Sequence, residues 1–500
     1  MRAVEAERTE QEQQRRQKLE RLRSQGTEPY LSRFDRTHSS AEALALFAEV
    51  EKEKGAETRT EPVALAGRLV ASRVMGKATF AHIQDFAGRI QLHVKVDKLG
   101  EPKYQQFVDL DLGDIIGVRG SLFRTRRGEV TCEVEDFVLL AKALRPLPEK
   151  YHGLKDVEVR HRQRYLDLIA NPEVRDVFVT RARIVEETRA FLRARGFIEV
   201  ETPVLQPIAG GAAARPFITH HNALDIDLYM RIALELYLKR LIVGGFERVF
   251  EIGRIFRNEG IDRWHSPEYT MLELYQAYTD WEGMLELTEA LVAHLVQRIK
   301  GSTSFSYQGE SIDARRPFAR LEMVDAASQA SGRDLLKAEV PELRRLLAER
   351  QIEARPGLGW GGLVNELFEE LVQGRLVQPT FVTGHPVEVS PLARRRSDDP
   401  RLTDRFELFI AGTEIANAFS EINDPLDQRA RFEDQARARA SGAEETHPMD
   451  EDFLTALEHG FPPTGGMGLG IDRLTALLTD QPTLRDVIAF PHMRARHAEP

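Results

Sequence analysis

Several extended runs in the C-terminal two-thirds of this chain follow one another with no helix between them, and that limits the fold more than any single motif. RVFEIGRIFRNE leads by a short loop to YTMLELYQAYT, and FELFIAGTEIANAFSE holds a strand pair of its own, with PVEVSPLA before it. Parallel neighbours need a crossover of about a dozen residues or more, usually a helix, so strands joined this closely pair antiparallel. Helical patterns (RARIVEETRAFLRARG, GMLELTEALVAHLVQRI, AEVPELRRLLAERQ, GLVNELFEELVQG) supply the layer that covers such a sheet. This part of the chain reads as α+β, an antiparallel sheet with packed helices, rather than a doubly wound parallel sheet.

The N-terminal third has another texture. VALAGRLVASRV, ATFAHIQDFAGRIQLHVKV and DIIGVRGSLFRTRRGEVTCEVEDFVLL alternate apolar and polar residues with glycine at the turns. About five short strands in ~90 residues suit a small closed barrel of the oligonucleotide-binding (OB) type. We place this barrel at 61–145. A charged helix at 1–26 and a helical lead-in at 27–60 precede it. ALRPLPEKYHGL, with its paired prolines, opens a linker set at 146–165, and 166–500 forms the larger domain.

A chain of 500 residues with 42 % apolar and 30 % charged side chains is ordinary soluble globular material, enough for about two to four domains. Its formal charge of −10 argues against a polybasic binder that works through bulk positive charge. The distribution is uneven: residues 61–150 hold 14 basic and 12 acidic side chains, and residues 1–24 hold seven basic and five acidic. The N-terminal helix reads as a solvated helix laced by i,i+4 pairs, or as a basic surface for a polyanion. The single cysteine, Cys132, excludes an intrachain disulfide and a cysteine-rich zinc site, and reads as a small residue on a strand. No apolar run approaches the ~20 residues of a membrane span, and the N-terminus has no apolar signal region; the chain reads as cytoplasmic, with no membrane partner.

Three segments carry chemistry. In FRNEGIDRWHSPEYTMLELYQ, Arg257 and Glu259 are two apart and are expected on one strand face; a polar loop holds His265; Tyr269, Met271, Glu273 and Tyr275 share a face of the next strand. An arginine, acids and aromatics on one face are costly to bury without a ligand or partners. In GFPPTGGMGLGIDRLTALLTD, glycines 465, 466, 468 and 470 permit close backbone approach before a helix starting near Ile471, and Arg473 in its first turn opposes the helix dipole unless it meets an anion. In ELFIAGTEIANAFSEINDP, Glu407, Glu414 and Glu421 recur with Asn417; carboxylates so clustered call for cations, and oxygen-only ligands suit magnesium. The bland readings are a salt-bridge ladder, a solvated glycine-rich loop and a solvated acidic hairpin. ARRRSDD, with Arg394, Arg395 and Arg396, reads as a mobile basic loop.

On these residues the chain closely resembles the class II aminoacyl-tRNA synthetases, and among them the bacterial type of lysyl-tRNA synthetases (class IIb). GFIEVETPVL, with Pro203, is similar to the family's first motif, which builds a homodimer interface; FRNE with PEYTMLE is similar to the second, and GMGLGIDR to the third. IAGGAAARPFITHHNALDIDLYMRIALELYLKRL and ASRVMGKATFAHIQDFAGRIQL extend the resemblance over nearly the whole chain. It implies an ATP-dependent ligase that forms lysyl-adenylate and passes lysine to the 3′ end of tRNA(Lys).

The resemblance also implies roles. Arg257 would bridge the lysine carboxylate and the α-phosphate of ATP, and Glu259 would accept the adenine amino group. Tyr269 and Arg473 would sandwich the adenine, His265 would touch the outer phosphates, and Glu407 and Glu414 would hold Mg2+. Glu421, hydrogen-bonded alongside Tyr275, would take the ε-ammonium of L-lysine, Glu235 and the Gly211 backbone the α-amino group, and Asn417 the carboxylate. Phe80, Gln91 and Arg73 would stack on and read the anticodon. Two departures lie in the second-motif loop: Trp264 stands where an arginine is usual, and Ser266 where an asparagine is common. Tyr269 stands for the commoner phenylalanine. Two rivals stay open, a paralogue that lysylates a protein and a catalytically silent RNA-binding protein.

Overall fold

A computed structural model describes residues 9–55, 57–148, 154–212, 214–355, 357–440 and 447–494, and the chain divides into two compact units between Leu154 and Lys155.

In the first unit, helices α1 (Glu10–Ser24) and α2 (Ser40–Lys54) precede strands β1 (Val63–Met75), β2 (Ala78–Gln84) and β3 (Arg89–Lys95). Two short helices, α3 (Val96–Leu99) and α4 (Glu101–Val108), lead to β4 (Ile115–Arg124) and β5 (Val130–Ala141). The strands close into a barrel in the order β1-β2-β3-β5-β4, the OB arrangement expected from the alternation. Leu65, Leu69, Ile83, Leu92, Val118 and Cys132 are buried in its core. α2 starts with a capping box, in which Ser39 and Glu42 satisfy each other's exposed amides; a cap of this kind contributes about 1 kcal/mol.

α1 is not simply a solvated helix. Arg15 is buried and donates to the carbonyls of Leu112, Ala143 and Arg145 at 2.9–3.3 Å. Lys18 pairs with Asp111 at 2.9 Å and Arg21 with Asp109 at 3.0 Å. A guanidinium leaves water only when acceptors replace it, so these basic side chains dock the helix on its own unit. Residues 1–8, with two of the counted arginines, lie outside the described residues.

The second unit opens with α5 (Val157–Arg162), α6 (Arg164–Ala170) and α7 (Val174–Arg193), followed by β6 (Ile198–Glu199) and β7 (Leu205–Gln206). The hairpin β8 (Ile218–His221) and β9 (Ile226–Met230) precedes α8 (Glu235–Val243), β10 (Arg248–Phe256) and β11 (Glu268–Ala277). Next come α9 (Trp281–Lys300), the hairpin β12 (Ser304–Tyr307) and β13 (Glu310–Asp313), and β14 (Ala319–Glu322). Helices α10 (Met323–Ser331), α11 (Val340–Glu349) and α12 (Trp360–Leu371) lead to β15 (Thr380–Thr383), β16 (Arg405–Ile410) and β17 (Thr413–Ser420). The unit ends with α13 (Pro425–Ala440), α14 (Glu451–Glu458), β18 (Thr464–Gly470), α15 (Ile471–Leu478) and α16 (Leu484–Val487).

The main sheet runs β14-β15-β16-β17-β18-β11-β10-β6. Pairing is antiparallel from β15 to β10 and parallel only at the two edges. Strand alternation sorts side chains between two layers. Leu272, Leu274, Leu408 and Leu469 face Leu291, Leu295, Leu474 and Leu477 of α9 and α15. Tyr269, Met271 and Tyr275 turn the other way, toward Leu234 and Leu238 at α8 and Phe453 of α14.

Part of the expected linker belongs to this unit. α5 and the start of α6 are anchored by His161 on Asp486 at 2.9 Å and by buried Arg164 on the carbonyls of Arg485 and Ala489 at 2.8 and 3.1 Å. Residues 149–153 lie outside the described residues. The ARRR segment is pinned as well, because Arg394 N donates to Ser420 O at 2.8 Å and Arg396 pairs with Glu322 at 2.9 Å.

Candidate active site

The polar face of the main sheet borders a cavity of about 860 Å3, lined among others by Gly211, Glu235, Arg257, Glu273, Tyr275 and Asn417. Glu273 and Tyr275 come from one face of β11, Asn417 from β17, Glu235 from the first turn of α8 and Gly211 from the preceding loop. Gly211 has φ +88°, and a Cβ there would stand 3.0 Å from the Ala233 Cβ and 3.2 Å from the Glu235 Cβ, so its backbone lies close against the helix start.

Glycines of β18 make room at the cavity wall for side chains of neighbouring strands. A Cβ on Gly466 would stand 2.0 Å from Glu421 Oε1 and 2.5 Å from the Tyr275 ring; one on Gly468 would stand 2.4 Å from the Met271 methyl. The glycine pattern thus admits a carboxylate and an aromatic ring beside each other at the wall.

Three carboxylates gather here around one ammonium. Lys239, one turn after Glu235 on α8 and 1 % exposed, forms ion pairs with both Glu235 and Glu421. Glu273 accepts from Leu234 N at 3.1 Å and from the Tyr275 hydroxyl at 3.2 Å. Tyr275 therefore bonds Glu273, and not Glu421 as the sequence reading has it. The cause is geometric: Glu273 and Tyr275 share a strand face, while Glu421 follows the end of β17 and lies against Gly466 of the cavity lining. Burial pushes the Glu235 and Glu421 carboxyls up, and Glu273 up to about 7 with help from Glu235. Burial would lower Lys239, but Glu235 and Glu421 outweigh it and keep its ammonium charged. Glu421 Oε1 has no hydrogen-bond partner among the described residues. His447, also at the cavity, is buried and pushed down to about 4 by burial and by Lys239 and Arg257.

Arg257 is not on β10, which ends at Phe256; its N–H still donates to Pro267 O at 2.9 Å, and Glu259 lies exposed in the loop beyond. The expected shared strand face for these two residues is therefore absent, because the ladder stops where the loop to β11 opens. The Arg257 guanidinium donates from Nε to Ile232 O at 3.3 Å and lies 5.7 Å from the Tyr269 ring centre. Arg473 donates to the Glu414 carbonyl at 2.9 Å and its carboxylate at 3.0 Å. The loop's Trp264 packs against Val177, Leu484 and Val487, and Leu484 N donates to Arg263 O at 3.1 Å, so residues 263–264 tie the loop to α16. His265 bonds Asp262 at 2.7 Å and is exposed.

The cations expected between the clustered acids are partly the protein's own. Arg405 donates to Glu407 at 2.6 Å and to Asn417 Oδ1 at 3.0 Å, and His385 lies 3.4 Å from Glu407. Despite burial, these neighbours bring the Glu407 carboxyl down to about 2. Among the described residues no group of three or more histidine, cysteine, aspartate or glutamate side chains is placed to hold a metal alone. Glu407 and Glu414, on paired strands, offer only hard oxygen donors, which fit a magnesium ion that takes its remaining ligands from phosphates and water. Lys239 and Arg405 are the site residues missing from the sequence reading, which placed Glu273 on the polar strand face without giving it a role; the i,i+4 spacing of Glu235 and Lys239 was the available signal.

In the other unit, the Phe80 ring stacks parallel on His93 with centroids 4.4 Å apart. Gln91 donates to Glu129 at 2.7 Å and accepts from Thr131 at 2.8 Å. Arg73 pairs across the β1–β2 ladder with Phe80 and is exposed.

Comparison with known proteins adds the following. A family model described as tRNA synthetases class II (D, K and N) matches residues 156–494, and one described as an OB-fold nucleic acid binding domain matches 63–140. The chain is 54 % identical over 485 residues to a protein of Oceanobacillus iheyensis named lysine–tRNA ligase, covering 97 % of this chain and 98 % of that one. It is 53 % identical to the protein of that name from Bacillus subtilis, with 97 % of each chain covered. The one from Moorella thermoacetica is 56 % identical over 96 % of this chain and 97 % of its own. No helix among the described residues is long and apolar enough to cross a membrane.

Proposed function

The chain belongs to the class II tRNA synthetases, in the group that serves aspartate, lysine and asparagine, and from that premise we propose that it is a lysine–tRNA ligase. It activates L-lysine with ATP and transfers it to the 3′ end of tRNA(Lys) for translation, in the cytoplasm.

The observation that carries the choice of lysine is the charge of the cavity wall. Three buried carboxylates, Glu235, Glu273 and Glu421, gather at one end of it beside one buried lysine, Lys239, which pairs with two of them. Lysine brings two ammonium groups and one carboxylate. Its α-ammonium meets Glu235 beside the Gly211 backbone, and its ε-ammonium meets Glu421, with Tyr275 against the stem. Its carboxylate meets Arg257 and Asn417. An aspartate or asparagine side chain brings no second ammonium to this wall, so Glu421 would keep Lys239 as its cationic partner and the discrimination offered by its carboxylate would go unused.

In the first step a lysine carboxylate oxygen attacks the α-phosphorus in line, and pyrophosphate leaves. Arg257 neutralises charge on the α-phosphate, Tyr269 and Arg473 hold the adenine between them, and Glu259 accepts its amino group. His265 meets the outer phosphates. Glu407 and Glu414 would hold magnesium, which when bound would supply positive charge to the leaving pyrophosphate. In the second step the terminal ribose hydroxyl of tRNA attacks the adenylate carbonyl and AMP leaves. Among the described residues none is placed as a general base, so rate enhancement rests on positioning and electrostatics. Pyrophosphate exchange measured across the amino acids tests the reading: lysine alone should support it, and exchange with aspartate in its place would overturn it.

The barrel takes the anticodon. Phe80 already has one ring face on His93, so a base adds to the free face while Gln91 and Arg73 meet its edge. With base–aromatic stacking at about 1–3 kcal/mol, Phe80→Leu should raise the KM for tRNA about 10–100-fold. Pyrophosphate exchange, which needs no tRNA, should be unchanged in the same variant.

The segment around Pro203 forms a homodimer interface. Ile198, Val204, Leu205, Ile218, Leu224 and Ile226 are all exposed along this stretch of chain, apolar side chains that a lone subunit leaves in water. Sedimentation velocity should give a particle of twice the 56.8 kDa chain mass, and Ile218→Asp should shift it toward the monomer.

A further inference from the structure

Lys239 has no part in the scheme above, yet it is among the most deeply buried charges of the chain. Its ammonium sits on the Glu235 and Glu421 carboxylates together, 5.6 Å from the Phe419 ring and 5.9 Å from those of Tyr275 and Phe453. It takes Oε1 of Glu235 and Oε2 of Glu421. Among the described residues neither Glu421 oxygen has a hydrogen-bond partner; Oε2 is held by the Lys239 ion pair alone, and Oε1 lies against Gly466, a residue of the cavity wall. A carboxylate free to rotate offers either oxygen in many directions; one tied by a buried ammonium offers a single oxygen in a fixed place.

We propose that Lys239 is a positioning residue that locks the two ammonium-binding carboxylates at a fixed separation and thereby makes the pocket select the length of the substrate side chain. This rests on the lysine reading of the same site. Because α8 sets Glu235 and Lys239 one turn apart, Lys239 ties Glu421, which belongs to another part of the sheet, to the helix that holds the α-amino end. The free oxygens of the two carboxylates then sit at one spacing, matched to a diamino acid with a four-carbon stem. Ornithine, one methylene shorter, cannot meet both. Without the tie, Glu421 can swing toward a shorter ligand.

Lys239→Met keeps the length and apolar stem and removes the charge. Pyrophosphate exchange should show the lysine KM raised at least tenfold, the ATP KM unchanged, and the preference for lysine over ornithine reduced at least tenfold. A merely structural residue would move the lysine and ATP constants together and leave that preference intact; this outcome overturns the proposal, as does a lysine KM within twofold of wild type. Should the methionine variant not fold, Lys239→Gln, which still donates to one carboxylate, should show the same changes at smaller size. If neither variant folds, Lys239 is a core residue and the proposal falls. The wild-type arm separates the two readings: a wild-type enzyme that ignores lysine sinks the lysine assignment, whereas one that takes lysine beside an unaffected Lys239→Met sinks only the length-setting role.

Discussion

Glu421→Gln is expected to raise the lysine KM about 10²–10³-fold in pyrophosphate exchange, from the 3–5 kcal/mol that attends breaking a buried charge pair and ~1.4 kcal/mol per decade. The ATP KM should stay near its wild-type value. Glutamine fills nearly the same volume beside Gly466, so packing at the wall is conserved and the change is one of charge. It removes one of the two carboxylates that Lys239 pairs with, and with it one acceptor for the two ammonium groups that the ligand brings. The effect should lie toward the lower end of the range, because Lys239 already claims one Glu421 oxygen and the carboxylate is shared. An unchanged lysine KM would place the ε-ammonium elsewhere in the cavity. A parallel rise in the ATP KM would mean that β17 and β18 had shifted together.

The architecture was legible because its signals are local. Period-two alternation marks the strands of both units, and the lack of crossover helices between RVFEIGRIF and YTMLELYQAYT leaves only antiparallel pairing, which the β10–β11 register shows. The position of α15 followed from the glycine run before Ile471, where strand becomes helix without a loop. What the sequence could not supply were partnerships across elements. Lys239 at i+4 from Glu235 looks like any surface helix pair; only the packing of α8 against the strand end at Glu421 turns it into a buried ammonium shared by two carboxylates. Likewise the arginines and lysine of α1 counted as free charge until their acceptors on residues 109–145 came into view. Tyr275 was assigned to the wrong carboxylate for the same reason, since a shared strand face favours Glu273 and a sequence does not rank faces against neighbours. Trp264, a departure from the family pattern, becomes intelligible as the residue that fixes its loop on α16.

Arg257→Lys is the second large effect, and it separates charge from shape. The guanidinium lies at the edge of the cavity, with Nε on Ile232 O and its plane near the Tyr269 ring, so the two terminal nitrogens remain for ligand oxygens. A reaction that joins a carboxylate to a phosphate needs one group that holds both at once and neutralises charge as the phosphorus becomes five-coordinate. A planar fork with fixed donors does this; an ammonium on a flexible stem supplies the charge without the geometry. Loss of a transition-state donor of this kind lowers kcat about 10²–10³-fold. Arg257→Lys should therefore fall by about two decades in kcat for pyrophosphate exchange, with the lysine KM changed far less, because Glu235 and Glu421 still hold both ammonium groups. Arg257→Ala should lose activity further. A lysine variant with near wild-type kcat would show that charge alone suffices and that the fork has no part in the transition state. A variant altered mainly in lysine KM would assign Arg257 to ground-state binding.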